Sequence, residues 1–140
     1  MGGTFDHLHE GHKYLIKTAL ELSKKVVIGL TIEVLLKKKK FSSRIQDYDT
    51  RKENLEEFIT SITDPKRVEI VPLDDHFGPP IHEPEYEAII TSEETYNGAL
   101  RINQIRIKKG FSPLIIIVIP MIKDSNNQII SSTSIRASLK

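Results

Sequence analysis

Apolar residues along this chain follow two alternating rhythms. VVIGLT (26–31), VEIVPL (68–73), AIITS (88–92) and PLIIIVIP (113–120) are short runs rich in β-branched residues, the pattern of strands buried on both faces. Between them the apolar positions recur at helical spacing. KYLIKTALELSKK sets Leu15, Ala19 and Leu22, with Ile16 and Leu20, on one side and ends in lysines that suit a helix C-terminus. DTRKENLEEFITSIT carries Leu55, Phe58, Ile59 and Ile62 on one face, and TYNGALRINQIRIKKG reads as a helix closed by Gly110. Such alternation predicts an α/β fold, a Rossmann-like doubly wound sheet of parallel strands. DDHFGPPIHEPE has three prolines and no period, and reads as an ordered loop over one sheet edge.

Composition narrows the class. At 140 residues, 39% hydrophobic and 28% charged, the chain suits one domain spanning residues 1–140. A net charge of +1 gives no general case for wrapping nucleic acid or lying on an acidic membrane. The absence of cysteine excludes disulfides, thiolate metal sites and cysteine nucleophiles, and fits a reducing compartment, with the cytoplasm as the expectation. No signal peptide is read before the first motif. LIIIVIPMI, the longest apolar run, is too short to span a bilayer and is broken by Pro120.

The chemistry begins almost at the first residue. GGTFDHLHEGH occupies positions 2–12 and runs directly into a helical pattern. Glycines at a strand-to-helix turn let backbone approach a phosphate, and the free N–H groups of the following helix add partial positive charge. His9 and His12 flank Glu10 and Gly11, so two imidazoles can converge where the chain enters the helix, with Gly11 leaving room for a ligand. A lone histidine here would read as a polar turn residue or half of a metal site; the whole string reads as an anion site. Yet only Met1 precedes Gly2, where a central strand is expected. Losing that strand would leave both its neighbours unpaired, so the pattern predicts native residues upstream of Met1, with a stub strand as the alternative.

A second cradle stands at the other end. In IISSTSIRASLK, Ser131, Ser132 and Thr133 offer caps and hydroxyl donors at a helix start, and Arg136 follows about one turn later. In an open α/β sheet the carboxyl ends of neighbouring strands share one crevice, which would unite the two cradles.

Together, GGTFDHLHEGH and ISSTSIR resemble the signature pair of the HxGH nucleotidyltransferase superfamily. With SEETYNGAL, DDHFGPP followed by AIITSEET, and the later IN..R and G.SPL.I..I patterns, the chain is similar to phosphopantetheine adenylyltransferases of the archaeal and eukaryotic type over essentially its whole length. The resemblance implies transfer of AMP from ATP to 4′-phosphopantetheine, giving dephospho-coenzyme A and pyrophosphate, with Mg2+ accompanying ATP and no dedicated metal site on the protein. The attacking phosphate is already anionic, so the protein's task is alignment and charge stabilisation rather than making a nucleophile.

By the same resemblance, Gly3, Thr4 and Phe5 hold the nucleotide and the incoming phosphate through backbone and hydroxyl donors. His9 and His12 contact ATP phosphates, with His12 stabilising charge in the transition state, and Ser131, Ser132, Thr133 and Arg136 bind the phosphates that leave as pyrophosphate. Lys37–Lys40 follow the second strand, where family members carry a lysine that pairs with the reacting phosphates. Lys37 or Lys38 is assigned that role, with Lys39 and Lys40 in reserve because the run leaves the register open.

The remaining candidates are weaker. Asp6 reads as a turn-fixing acceptor of backbone N–H bonds and His7 as an exposed residue between matched positions. Asn103 and Arg106 share a face with Ala99 and Ile102, which allows a ligand-facing role or a solvated helix edge. Glu93 and Glu94 read as capping the next helix, or touching the nucleotide, before forming a metal cage. Two alternatives stay open for the activity: the same transfer to nicotinamide mononucleotide, FMN or a phospho-alcohol, or a nucleotide-binding module without turnover.

Overall fold

The computed structural model describes residues 1–32 and 45–120. Five strands, β1 (Gly2–Gly3), β2 (Val26–Thr31), β3 (Val68–Leu73), β4 (Ala88–Ser92) and β5 (Ile115–Ile119), alternate with helices α1 (Glu10–Leu22), α2 (Tyr48–Ile62) and α3 (Tyr96–Lys108). Every pairing is parallel, as the buried apolar runs predict. β2 runs in register with β3 from Val26↔Val68 to Thr31↔Leu73, and β4 with β5 from Ala88↔Ile115 to Ser92↔Ile119.

The glycine turn does follow a strand, a stub of two residues. Gly2 and Gly3 pair with Gly29 and Leu30, and Met1 extends the ladder: its carbonyl accepts the Gly29 N–H at 2.8 Å and its ammonium donates to the Val27 carbonyl at 3.0 Å. The expected single sheet is hydrogen-bonded as two parts among the described residues, β1-β2-β3 and β4-β5.

The core lies between α1, α2 and the first sheet. Ile16 and Ala19 of α1 and Leu55 and Ile59 of α2 close over Val26, Ile28 and Leu30, with Phe5 sealing the end beside the turn. β2 needs Gly29 because the Leu73 side chain lies against it; a Cβ at that position would come within 2.6 Å of Leu73 Cδ2. Burial of the outer strands falls short of expectation: β3 and β4 are only partly covered, and Ile115 and Val118 of β5 are exposed.

Helix ends depart from the expected bounds for local reasons. α1 begins at Glu10 because His9 caps it, and it stops at Leu22, where the N–H and hydroxyl of Ser23 both take the Ala19 carbonyl. Lys24 and Lys25 fall beyond the helix, and Leu22 is exposed instead of facing the core. α3 closes at Gly110 as read, with φ +82 and with Gly110 N–H and Phe111 N–H returning to the carbonyls of Ile107 and Arg106.

Arg106 belongs to this architecture. Its fully buried guanidinium donates to the carbonyls of Pro80, Glu83, Pro84, Tyr86 and Ser112 at 2.6–3.2 Å. Asn103 holds Leu114 through both its amide groups, at 2.7 and 3.0 Å. Arg106 is taken up by these carbonyls and pins the 79–86 loop to α3, and the half-buried Asn103 aligns the entry to β5. The proline-rich loop is ordered as expected, with Asp75 accepting the N–H groups of Phe77 and Gly78, bonds that hold its carboxyl below the usual range.

Candidate active site

Strand β1 delivers the chain into a turn of unusual shape. Phe5 (φ 49) and His7 (φ 46) both adopt the left-handed region, on either side of a fully buried Asp6. Residues with a Cβ avoid that region, so tertiary bonds must hold it. Asp6 Oδ1 accepts the N–H of Gln46 at 2.9 Å, and Gln46 Oε1 accepts the N–H of His7 at 3.0 Å. Asp6 is thus the expected acceptor of backbone N–H, from a residue far along the chain rather than from its own turn. His7 is not a bystander: it is partly buried, with Nε2 3.6 Å from Asp6 Oδ2.

Arg51 completes the clamp. Its Nε donates to the Gln46 carbonyl at 2.9 Å, and one terminal nitrogen donates to the carbonyls of Thr4 and Thr31 at 3.0 and 2.8 Å. One buried cation therefore ties together the exits of β1 and β2, from which the two candidate phosphate-holding segments leave. Arg51 and Gln46 were missed by sequence reading. For Arg51 a signal exists, because it precedes Leu55 and Ile59 by four and eight residues and so shares their buried face.

Helix α1 starts with the histidine pair. His9, in extended conformation, is the N-cap: its Nδ1 accepts the N–H groups of Gly11 and His12 at 3.1 and 3.4 Å. In return His12 Nδ1 accepts the N–H of His9 at 3.3 Å. This is a capping box built from two imidazoles in place of the usual Ser or Thr with Glu. The rings stack with centroids 3.7 Å apart at 18°, and His12 lies 5.3 Å from the Phe5 ring. The expected convergence of the two rings at the helix start is present.

The cap changes where the anion donors are. The free N–H groups of the helix start are expected to add positive charge there, and those of Gly11 and His12 are taken by His9. With both Nδ1 atoms accepting, the proton of each neutral ring sits on Nε2, so each imidazole presents one N–H donor. Both rings favour the neutral form. Burial lowers the His9 pKa, partly offset by Glu10, and burial together with His9 pushes His12 down to about 3. The two neutral rings thus lie beside the positive end of α1, a setting that suits an anion.

Of the other candidates, Gly3 is in β1 and Phe5 is core, its ring against Gly3 and His12. Thr4 is buried, and its hydroxyl accepts from Thr31 at 3.2 Å. Lys37, Lys38, Lys39 and Lys40, and Ser131, Ser132, Thr133 and Arg136, lie outside the described residues. Glu93 and Glu94 do not cap α3; Ser92 and Thr95 bond each other across that turn, and the glutamates stay exposed. An open cleft of about 540 Å³ lies beside the turn, lined by His7, Leu8, Lys13, Gln46 and Phe58 among others, and neither His9 nor His12 lines it. Among the described residues no helix is long and apolar enough to cross a membrane.

Known proteins resemble this chain in sequence and fold. The cytidylyltransferase-like family model matches residues 1–138. A phosphopantetheine adenylyltransferase of Pyrococcus abyssi is 43% identical over 99% of this chain and 88% of its own, and one of Saccharomyces cerevisiae is 40% identical over 100% of this chain. The chain spans about half of the yeast protein, 48% of its length. A crystal structure of a protein of unknown function from Archaeoglobus fulgidus matches 86% of this chain and 95% of its own at 31% identity and a TM-score of 0.73. The bifunctional NMN adenylyltransferase/ADP ribose pyrophosphatase of Francisella tularensis matches 98% of this chain and 40% of its own with a TM-score of 0.65, and at 19% identity it shares the fold alone. A histidine-capped helix after a glycine turn, on parallel strands, in a sequence matched from end to end in this way, places the chain in the cytidylyltransferase-like family, among the phosphopantetheine adenylyltransferases.

Proposed function

We propose that this protein transfers AMP from ATP to 4′-phosphopantetheine, forming dephospho-coenzyme A and pyrophosphate. An oxygen of the acceptor phosphate attacks the α-phosphorus of ATP, the bond from that phosphorus to the bridging oxygen of the β-phosphate breaks, and pyrophosphate leaves with the electron pair. Neither reactant needs a protein nucleophile. The observation that carries the proposal is the reciprocal cap of His9 and His12, which aims two neutral Nε2–H donors from the head of α1.

His9 and His12 bind the triphosphate, and His12 stabilises the charge that grows as the α-phosphorus is attacked. Gly3, Thr4 and Phe5 line the nucleotide and acceptor phosphate with backbone and hydroxyl groups. Lys37 or Lys38 pairs with the reacting phosphates, and Ser131, Ser132, Thr133 and Arg136 hold the departing pyrophosphate. Mg2+ would accompany the triphosphate and supply charge neutralisation there. The donors that the described residues present at the head of α1 are N–H groups, which suit the anion rather than the cation. Such chemistry fits a cysteine-free protein of the cytoplasm.

The test is acceptor choice. Purified protein with ATP and Mg2+ is given 4′-phosphopantetheine, nicotinamide mononucleotide or FMN, and pyrophosphate is followed. Release with phosphopantetheine alone is expected; release with another acceptor instead, or with none, rejects the proposal.

A further inference from the structure

We infer that Gln46 is a positioning residue for the histidine pair, acting through the left-handed turn at Phe5–His7. Two of its groups grip that turn and a third holds the guanidinium beside it. The side-chain Oε1 accepts the His7 N–H at 3.0 Å, the backbone N–H donates to Asp6 Oδ1 at 2.9 Å, and the carbonyl accepts Arg51 Nε at 2.9 Å. The same guanidinium holds the Thr4 carbonyl, so the chain is fastened on both sides of Phe5.

The turn requires fastening. Phe5 and His7 sit at φ 49 and φ 46, a conformation that costs energy for any residue with a Cβ and persists only where surrounding bonds impose it. Bonds act within the turn itself on Asp6 and on His7, and the one to the His7 N–H comes from the side chain of Gln46. His9 follows two residues later in extended conformation (φ −123), and its ring reaches forward over the Gly11 and His12 N–H groups. The path out of His7 therefore sets the direction of the His9 ring. Without the Oε1 bond His7 can relax to an ordinary φ, the chain enters His9 at a different angle, and the mutual Nδ1 bonds that fix both tautomers are lost. Gln46 touches no reactant in this role; it acts through His7 on His9 and His12.

The inference rests on reading the pair as the phosphate donors, but its test does not need turnover. The ring nitrogens of His9 and His12 are read by long-range proton–nitrogen correlation in the 15N-labelled protein near pH 7.5, and kcat and KM are measured in parallel. Wild type shows both rings as the Nε2–H tautomer. Gln46→Met keeps side-chain length and removes the acceptor; mixed tautomers at both rings are expected, with kcat down about tenfold and KM for ATP changed less than about twofold. Gln46→Glu keeps an acceptor and restores the single tautomer and most of the kcat. If Gln46→Met does not fold, Gln46→Asn withdraws the acceptor by one methylene and must show the same mixing. Wild-type ring nitrogens in a folded Met or Asn variant overturn the inference whatever the activity. A kcat loss that Gln46→Glu does not restore, and that follows the fraction of unfolded protein, overturns it too. A wild-type protein inactive on every acceptor rejects the proposed function alone and leaves the nitrogen spectra to decide this one.

Discussion

His9 and His12 fix each other: each Nδ1 accepts the backbone N–H of the other, at 3.4 and 3.3 Å, and the stacked rings are left with their protons on Nε2. One pair of residues thereby starts helix α1 and orients the donors proposed to meet the triphosphate. These two duties can be separated by mutation.

His9→Ser keeps a good N-cap and removes the ring donor. Its thermal midpoint should stay near wild type while kcat falls on the order of tenfold or more. His9→Ala removes both and should also lose about 1 kcal/mol of stability in urea unfolding. His12→Ala should lower kcat by about 10²–10³ if the ring stabilises transition-state charge.

Acid should act on the same pair. His12 has its pKa lowered from 6.5 to about 3 by burial and by His9, so the folded protein prefers the neutral ring. Its contribution to stability is fully present above pH 6.5 and is lost as pH falls from there towards 3. Urea midpoints from about pH 7.5 to about 4.5 should decline in wild type, and the slope should flatten in His12→Gln. Equal slopes would show that His12 is not buried as a neutral ring.

Arg51 should be intolerant of change. Arg51→Met strands the buried carbonyl of Thr4 and the part-buried carbonyls of Thr31 and Gln46, for an expected loss of about 3–5 kcal/mol in denaturant unfolding. Arg51→Lys should recover little, since one ammonium cannot reproduce the planar fork that spans β1, β2 and the approach to α2.

Gly29 and Leu73 should behave as a coupled pair. Gly29→Ala brings a methyl within 2.6 Å of Leu73 and should cost about 1–3 kcal/mol. In Leu73→Ala the space is open, and adding Gly29→Ala there should cost less than it does alone, a coupling that a double-mutant cycle in urea measures directly.

The strands were legible because their β-branched runs stand out from the helical spacing around them, and VVIGLT and AIITS coincide with β2 and β4 to the residue, although of the two only β2 is largely buried. The histidine pair was legible as a convergence of donors, since the spacing of His9 and His12 is that of an N-cap and its third helical residue. That the rings would consume the first-turn N–H groups was not, because histidine is rarely a cap and the bonding depends on tautomer. Arg106 misled for a related reason: a charged residue on an apolar face reads as ligand-facing, whereas four carbonyls of a proline-rich loop, which sequence does not place, and that of Ser112 satisfy it inside the protein. Gln46 carries no pattern at all. Its partners, Asp6 and His7, are about forty positions away, and only the folded turn brings them together.

The most direct measurement follows the oxygens. With 4′-phosphopantetheine labelled with 18O in its phosphate, ATP and Mg2+, the products are separated and weighed by mass spectrometry. Attack by the acceptor phosphate on the α-phosphorus predicts dephospho-coenzyme A that retains every labelled oxygen and pyrophosphate that carries none, with both products lost in His12→Ala. Label in the pyrophosphate, or pyrophosphate released without labelled dephospho-coenzyme A, would contradict adenylyl transfer to phosphopantetheine by this protein.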